Sequence, residues 1–160
     1  MTLVDIIEHC LVDVVQHVKY LCLSYIWGHG KTPFITTKSN FGELHQPGAL
    51  KKYQHKIPST ILDAIALTRT LGIRYLWIDR LCIVQDNDQK KQEQIGYMAA
   101  IYAGSYFTIV AASGSNDNHG LPGVTVPRKL SRPILQFNDT FLALDVGEAD
   151  EERDVWHSRA

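Results

Sequence analysis

Hydrophobic residues follow one another, without polar alternation, in three separate stretches of the chain. These stretches are residues 20–27, 73–78 and 106–112. A short continuous apolar run between turn-forming residues is typical of a strand with both faces buried. The pattern therefore predicts three buried strands, and the middle run, IRYLWI, is the best candidate for the centre of the sheet.

Apolar residues recur at helical spacing in the two segments between these runs. The first helix is predicted from Pro58 to just before Gly72, with inward positions Ile61, Ala64, Ile65, Thr68 and Leu71. The second is predicted from the cap residues Asp86, Asn87 and Asp88 to Gly104, with inward positions Ile95, Met98, Ala99 and Tyr102. A strand-helix-strand-helix-strand order needs crossover connections. It therefore predicts an α/β fold, a mostly parallel sheet with flanking helices.

The N-terminal residues 2–18 fit two structures. Thr2 and Asp5 resemble a capping box, and the apolar residues that follow them recur at helical spacing, which favours a helix. The segment LVDVV at 11–15 would serve equally well as a strand that leads into the next one.

The connection at 31–57 is polar and is interrupted by prolines and glycines. A connection of this length inside a compact domain is usually functional or mobile. Residues 132–146 predict a C-terminal β-hairpin that turns at Asn138 and Asp139. The acidic residues 147–154 are predicted to be solvated.

Composition removes several functional classes. The 160 residues suit one domain. A net charge of −1 provides no basic face for nucleic acid, and no apolar run reaches the length of a membrane span. Asp5 and Glu8 stand where a signal peptide would carry basic residues, so we expect a cytoplasmic protein. Three cysteines in apolar surroundings indicate buried, reduced thiols rather than disulfides.

The common motifs of enzyme chemistry are absent from the sequence. It contains no GxxxxGK[ST] or GxGxxG turn for phosphate and no GxSxG nucleophile elbow. Cys82 lies in the apolar segment LCIV, which favours packing over nucleophilic catalysis. The seven histidines are scattered without metal-ligand spacing, so no metal site is predicted.

Parallel strands place the residues that follow their C-terminal ends on one common rim of the sheet, where ligands bind in open α/β folds. This rim would hold Ser24, Tyr25, Trp27 and Gly28 after the first strand, Asp79 and Arg80 after the second, and Ser113 and Gly114 after the third. Stacking aromatics, small residues, hydroxyls and a carboxylate would together suit a nucleotide or a sugar.

Each rim residue also has a purely structural interpretation. For Trp27 and Trp77 the pattern favours core aromatics over ligand contacts. Asp79 could cap a turn, or form an ion pair with Arg80 or Arg74. The serine and glycine after the third strand could be no more than a turn.

Three segments together resemble the fungal heterokaryon incompatibility (HET) domain. They are LSYIWG at 23–28, IPSTILDAIALTRTLGIRYLWIDRLCIVQD at 57–86, and MAAIYAGSYFTIVAASGSNDNHGLPG at 98–123. The resemblance covers roughly residues 11–159. It implies extended chain at 11–15, so we prefer a strand there to a helix.

The resemblance also implies a function. HET domains act in fungal non-self recognition that ends in programmed cell death, a form of fungal innate immunity, usually as the effector domain of a larger receptor. Their fold has been likened to TIR domains, which are flavodoxin-like, assemble through like domains and in some cases cleave NAD. Family members usually continue past a segment like HSRA into a Trp-Thr-x-Gln-Glu motif. We therefore expect one HET-like domain over residues 1–160 that ends before this motif.

Two hypotheses follow from the residues and the resemblance together. In the first, the domain is an enzyme that cleaves NAD or a related nucleotide as its substrate, with no bound cofactor firmly implied. A carboxylate can stabilise the oxocarbenium-like state of glycosidic cleavage. Asp79 is the first candidate for that carboxylate and Glu93 the second.

Other residues of the rim would form the binding site in this hypothesis. Tyr25 and Trp27 would stack the base, and Ser24 would contact the ribose. The site would be completed by Gly28, Arg80 and Ser113.

In the second hypothesis the domain is an assembly module without enzymatic activity, or an inactive regulator of longer HET proteins. Its partners would be other HET-like domains, including copies of itself, or receptor proteins. The exposed face QKKQE at 89–93 and the connection at 31–57 would then be interfaces.

Overall fold

The computed structural model describes residues 1–28, 33–128, 134–137 and 140–143. Its strands are β1 Thr2–Asp5, β2 Cys10–Asp13, β3 Tyr20–Ser24, β4 Tyr75–Trp77, β5 Phe107–Val110, β6 Ile134–Phe137 and β7 Thr140–Ala143. Its α-helices are α1 Phe41–Leu44, α2 Ala49–Lys52, α3 Ser59–Thr70, α4 Asp79–Cys82 and α5 Asp88–Gly104, with a 3-10 helix at Gln54–Lys56. Strands β1 to β5 form one sheet in the order β2-β1-β4-β3-β5, and β6 pairs with β7.

The three predicted strands are present and parallel. β3 pairs in parallel with β4 on one side and with β5 on the other. The helices α3 and α5 precede β4 and β5 along the chain, so the predicted strand-helix-strand-helix-strand order is confirmed. The C-terminal ends of β3, β4 and β5 therefore lie at one edge of the sheet.

The sheet is mixed, however, and the prediction of a mostly parallel sheet is wrong in this respect. β1 pairs antiparallel with both β2 and β4, which adds an antiparallel hairpin to the parallel strands. The helix that periodicity favoured over residues 2–18 is likewise wrong, because β1 and β2 lie there. β2 at Cys10–Asp13 covers most of the 11–15 segment for which a strand was preferred.

The polar residues that resembled a helix cap have other partners in this hairpin. The Thr2 hydroxyl donates across the strand pair to Asp13, with 2.6 Å between the oxygens. One oxygen of Asp5 accepts the backbone N–H groups of Ile7 and Glu8 at 3.0 and 3.1 Å, which shapes the turn between the strands. Short polar side chains serve helix caps and turns by the same kind of local hydrogen bond. The pattern alone could not separate the two.

Burial differs between the predicted strands. β4 lies at the centre of the five strands as predicted, and its Leu76 and Trp77 are fully buried, so Trp77 is a core residue. β5 was predicted to be buried but is an edge strand of the described sheet. Its Phe107 and Val110 are each 40% exposed, and Ile109 is the buried residue of the strand.

The two long helices begin and end near their predicted positions. α3 follows Pro58, and Gly72 beyond its end has a φ of 69°, a conformation that glycine adopts without strain. The Asn87 side chain caps α5 by accepting the N–H of Lys90. α5 lies at the surface, and its predicted inward residue Ile95 is 43% exposed. Met98 and Tyr102 do pack against the core, together with Ile101.

Residues 33–57 form a packed layer rather than a long loop. Its short helices bury Leu44 and Leu50 in the core. The backbone of the buried Thr36 donates to the Arg80 carbonyl and accepts from the Gln85 N–H. The sequence predicted a connection without helices over 31–57, and the described part contains three short helices, because helices of three or four residues are too short to show a hydrophobic period.

The loop that follows β5 is held by α3. Asp63, which is 2% exposed, accepts the Leu121 backbone N–H at 2.7 Å and the Thr125 hydroxyl at 2.8 Å. The Thr60 hydroxyl accepts the N–H of Gly120 at 3.1 Å. These hydrogen bonds satisfy the acceptors of α3 and the donors of the loop, so residues 120–125 have a fixed position against α3.

Other predictions concern the thiols and the C-terminal segment. The three cysteines are buried and free, as predicted. β6 and β7 form the predicted hairpin, while its turn residues 138–139 and the acidic residues 147–154 lie outside the described residues. No helix within the described part of the chain is both long enough and apolar enough to span a bilayer.

A matched pair of glycine substitutions tests the attachment of the loop to α3. A Cβ on Gly120 would lie 2.8 Å from an Asp63 carboxylate oxygen, and its φ is +79°. Gly120→Ala should therefore destabilise the fold by about 2 kcal/mol or more. Gly96, inside α5, has open space around it, and Gly96→Ala should stabilise by up to about 1 kcal/mol. Urea unfolding followed by circular dichroism measures both effects. Shifts of the same sign would contradict this account of the loop.

Candidate functional site

Asp79 lies where the rim prediction placed it, close to the end of the neighbouring strand. It is the first residue of α4 and follows β4 after a single intervening residue. One carboxylate oxygen accepts the Trp27 indole N–H at 2.8 Å, and the other accepts the Arg80 backbone N–H at 2.7 Å. Because β3 and β4 run in parallel with Cys22 opposite Trp77, the residues beyond each strand meet at the same edge.

The pKa of the partly buried Asp79 carboxyl is raised above its ordinary value. Burial is the main cause. The N–H groups of Trp27 and Arg80, the charge of Arg80 and the nearby Tyr25 hydroxyl oppose this rise without cancelling it. A carboxylate with a raised pKa at a sheet edge is a candidate for acid-base or electrostatic catalysis.

Tyr25 contributes a hydroxyl with unused hydrogen-bonding capacity. The hydroxyl oxygen is buried and has no partner of good hydrogen-bond geometry in the described structure. Burial raises the pKa of Tyr25, and the neighbouring negative charge of Asp79 raises it further. A buried polar group without a partner calls for an explanation, and a bound ligand or water that accepts its proton would supply one.

Arg80 is buried beneath these aromatics rather than exposed on the rim. Its side chain is 1% exposed, and one terminal nitrogen lies 2.5 Å from a carboxylate oxygen of Asp117. The other terminal nitrogen donates to the Trp27 carbonyl at 3.1 Å. The guanidinium carbon lies 4.7 Å from the centroid of the Trp27 ring and 5.6 Å from that of Tyr25. Arg80 therefore joins the chain beyond β3 to the loop beyond β5.

Asp117 was not singled out from the sequence. It lies in the loop after β5, which was assigned to the same rim, and its backbone carbonyl also accepts the N–H of Thr60 at the start of α3. The sequence did contain a signal for Asp117, because a carboxylate in a loop at the rim could form an ion pair with the predicted rim arginine. We refer to Tyr25, Trp27, Asp79, Arg80 and Asp117 as the Asp79 cluster.

The small residues assigned to the rim lie beside the cluster. The Ser24 carbonyl accepts the Ala111 N–H at 2.9 Å, so Ser24 belongs to the seam between β3 and the chain after β5. Gly28 has a φ of 73°, and a Cβ there would lie 3.0 Å from the Asn116 side chain. Ser113 is partly buried at the start of the same loop.

A comparison with protein families covers most of the chain. A family model described as "Heterokaryon incompatibility protein (HET)" matches residues 20–159. The chain belongs to the HET family. This confirms the resemblance seen in the three sequence segments, and it implies a role in heterokaryon incompatibility. No curated protein and no solved structure matches the chain.

The HET match spans all the residues of the Asp79 cluster and also Glu93, the second carboxylate candidate. Glu93 is exposed on α5, where its carboxylate accepts the side-chain N–H of Gln89 at 3.3 Å. Neither a hydrogen bond nor an ion pair joins Glu93 to the cluster among the residues that the structure describes. The structure thus brings together Tyr25, Trp27, Asp79 and Arg80, and leaves Glu93 apart.

A second buried carboxylate, Asp5 in β1, gives an internal comparison for Asp79. Burial alone would raise its pKa, but hydrogen bonds from Arg74 and from the N–H groups of Glu8 and Ile7, with the Arg74 charge, outweigh burial and lower it. In a carboxyl-detected NMR titration, Asp79 should titrate above an ordinary aspartate and Asp5 below it. Equal midpoints for the two, or the reverse order, would contradict the geometry of the cluster.

The raised pKa of Asp79 also predicts how stability depends on pH. A carboxyl whose pKa is higher in the folded than in the unfolded state stabilises the fold fully below the unfolded-state pKa. This contribution is lost as the pH rises through the folded-state pKa. Asp79→Asn removes the titration, so its destabilisation relative to wild type should be largest in acid and smaller at neutral pH. Urea unfolding at pH 4 and pH 7.5 measures the difference, and a constant one would contradict the prediction.

Proposed function

We propose that this HET chain is a cell-death effector domain whose Asp79 cluster cleaves the bond between ribose and nicotinamide in NAD or a related nucleotide. The observation that carries the proposal is the carboxylate of raised pKa at the rim, placed between a partly exposed indole and an unpartnered tyrosine hydroxyl. These are the groups that a sugar and its aromatic leaving group require.

The chemistry follows from the charge that develops during cleavage. As the bond to nicotinamide breaks, its electron pair leaves with the neutral base and positive charge develops on the ribose. The Asp79 carboxylate would stabilise that charge and accept a proton from the attacking water. The products are nicotinamide, ADP-ribose and one proton. A raised pKa makes Asp79 a stronger base than an ordinary aspartate.

Other residues of the rim would bind or position the substrate. The Trp27 ring would stack on the base, and the Tyr25 hydroxyl would hydrogen-bond to the ribose or to the carboxamide. Ser24, Gly28 and Ser113 would allow the chain to approach the ribose closely. Arg80 is buried, so it would act as a positioning residue through Trp27 and Asp117.

Strand order supports a flavodoxin-like and TIR-like arrangement as part of this proposal. The first parallel strand, β3, lies between the second, β4, and the third, β5. Flavodoxin-like sheets also place their first strand between the second and the third, and bind ligands at the carboxyl edge beside it. A shared fold does not establish an activity, so the proposal depends on the Asp79 cluster itself.

Nicotinamide release by the purified chain, at high protein concentration, tests the enzymatic proposal. Asp79→Asn should reduce the rate by about 10²-fold or more, because it removes the stabilising charge while it preserves the size of the side chain. Asp88→Asn makes the same change at an exposed carboxylate in the first turn of α5 and should leave the rate unchanged.

Two outcomes would contradict this proposal. One is the absence of nicotinamide release by the folded wild-type chain at every concentration. The other is a rate that falls with Glu93→Gln and not with Asp79→Asn, which would place the catalytic carboxylate on α5. Circular dichroism of each variant separates a catalytic effect from unfolding.

A second candidate function, assembly with other HET domains, is favoured by the surface around β5. Within the described sheet β5 pairs with β3 on one side, and its other edge carries no strand. Tyr106 and Phe107 are 63% and 40% exposed, and Tyr97 on α5 is 67% exposed. A sheet edge with exposed apolar side chains can pair with another chain.

Sedimentation over a range of protein concentrations tests the assembly function. The wild-type chain should form larger species as the concentration rises, whereas Phe107→Lys should remain monomeric because it places a charge on the edge strand. Val15, which is 98% exposed outside the strands, provides the control, and Val15→Lys should assemble like the wild type. A wild-type chain that stays monomeric, or equal effects of the two lysines, would exclude assembly through β5.

A further inference from the structure

A cavity separate from the Asp79 cluster lies between the turn after β1, the helix α2 and one face of α3. Its volume is about 540 Å³, and its lining includes no residue of the cluster. Aliphatic side chains form much of the wall, among them Ile6, Leu50, Ile57, Leu62 and Ile65. Cavities of this size in proteins commonly bind small molecules.

Three nitrogen-bearing side chains line one part of this cavity. The Arg69 guanidinium lies 3.3 Å from His9 Nε2 and donates to the Ile6 carbonyl at 2.9 Å. Lys51 also lines the cavity, and its side chain is exposed, with no hydrogen bond or ion pair to another residue that the structure describes. His9, Lys51 and Arg69 thus form a basic group with free donors.

The pKa of His9 agrees with this arrangement. Burial lowers it most, and the charges of Lys51 and Arg69 lower it further, against smaller opposing effects of Asp5 and Glu8. These effects favour the neutral form of the imidazole. A neutral ring next to two cations can donate a hydrogen bond to an anion without adding a third positive charge.

The backbone of His9 is held in a conformation that non-glycine residues rarely adopt. Its φ of 54° is the one positive value among the described non-glycine residues. The carbonyls of His9 and Glu8 accept the N–H groups of Leu50 and Gly48, at 2.8 and 2.7 Å, so α2 holds the turn in place. Strain of this kind persists where surrounding contacts enforce it, and it is enriched at binding sites.

The carboxylates in the cavity wall already have partners in the protein. Asp5 forms an ion pair with Arg74 at 2.7 Å. Asp63 accepts the Leu121 N–H and the Thr125 hydroxyl, as described above. The charged donors that remain available in the lining include those of Lys51 and the part of Arg69 that faces away from Ile6.

We propose that this cavity binds a small aliphatic anion. Lys51, Arg69 and His9 would hold its carboxylate or phosphate group, and the aliphatic wall formed by residues such as Leu50 and Ile65 would enclose its hydrocarbon part. The lining contains no phenylalanine, tyrosine or tryptophan, so a nucleobase would find no ring to stack on. The site is therefore distinct in ligand class from the proposed NAD site, and neither proposal depends on the other.

Calorimetric titration of the whole chain with straight-chain carboxylates from butanoate to decanoate, and with the matching alkyl phosphates, tests the proposal. Affinity should rise about fourfold for each added methylene until the cavity is filled. Lys51→Gln should weaken binding about tenfold, because it removes a charged donor. Lys52→Gln removes the same charge at the next residue of α2, which pairs with Glu43 and does not line the cavity, and should leave affinity unchanged.

A third variant separates binding in the cavity from ion pairing at the surface. Ala66 lines the cavity from α3, and Ala66→Leu fills the space with a good helix former and leaves every charge in place. It should abolish the gain in affinity with chain length, while thermal unfolding confirms the fold. Binding of either series supports the proposal and identifies the acid group. No binding of either series to folded wild type, equal losses for Lys51→Gln and Lys52→Gln, or an unchanged length dependence in Ala66→Leu would overturn it.

Discussion

The buried guanidinium of Arg80 is the constraint on which the rim of the sheet depends. It lies 1% exposed between the chain after β3, through the Trp27 carbonyl, and the loop after β5, through Asp117. An arginine without a counter-charge in such a position would destabilise the fold by about 3–5 kcal/mol. The loop must therefore return to Arg80 for the domain to fold. The same arginine donates to the carbonyl of Trp27, the residue whose indole N–H donates to Asp79.

Much of the central fold follows from simple patterns in the sequence. Continuous apolar runs located the parallel strands, and proline and glycine located α3. The same patterns did not predict that β5 lies at an edge, because the sequence FTIV is compatible with an edge strand and with a central strand. They also missed the N-terminal hairpin. Thr2 and Asp5 have the side chains of a helix cap, but here Thr2 bonds across the strand pair and Asp5 bonds within the turn. Both features depend on how the strands pair in the folded sheet, which these patterns do not contain.

Strand direction alone predicted which residues of the candidate site lie at the same edge of the sheet. Parallel strands share an edge, so Tyr25, Trp27 and Asp79 were expected to meet, and they do. The conformation of the turn after each strand determines how deeply a side chain is buried at that edge. Hydrophobic periodicity does not predict this conformation. Arg80 was therefore placed on the rim, although it is buried beneath it. Asp117 was missed because it is one polar residue in a loop rich in asparagine, aspartate and glycine.

The distance along the chain between Arg80 and Asp117 affects how the domain folds as it is synthesised. The two residues are 37 positions apart, and β5 lies between them. While the ribosome has released β1 to β4 but not the loop, the guanidinium has no carboxylate to meet and must stay in water. The central sheet can thus close only after the loop has left the ribosome. Until then β3, whose partners are β4 and β5, has one open side that a chaperone or another nascent chain can occupy.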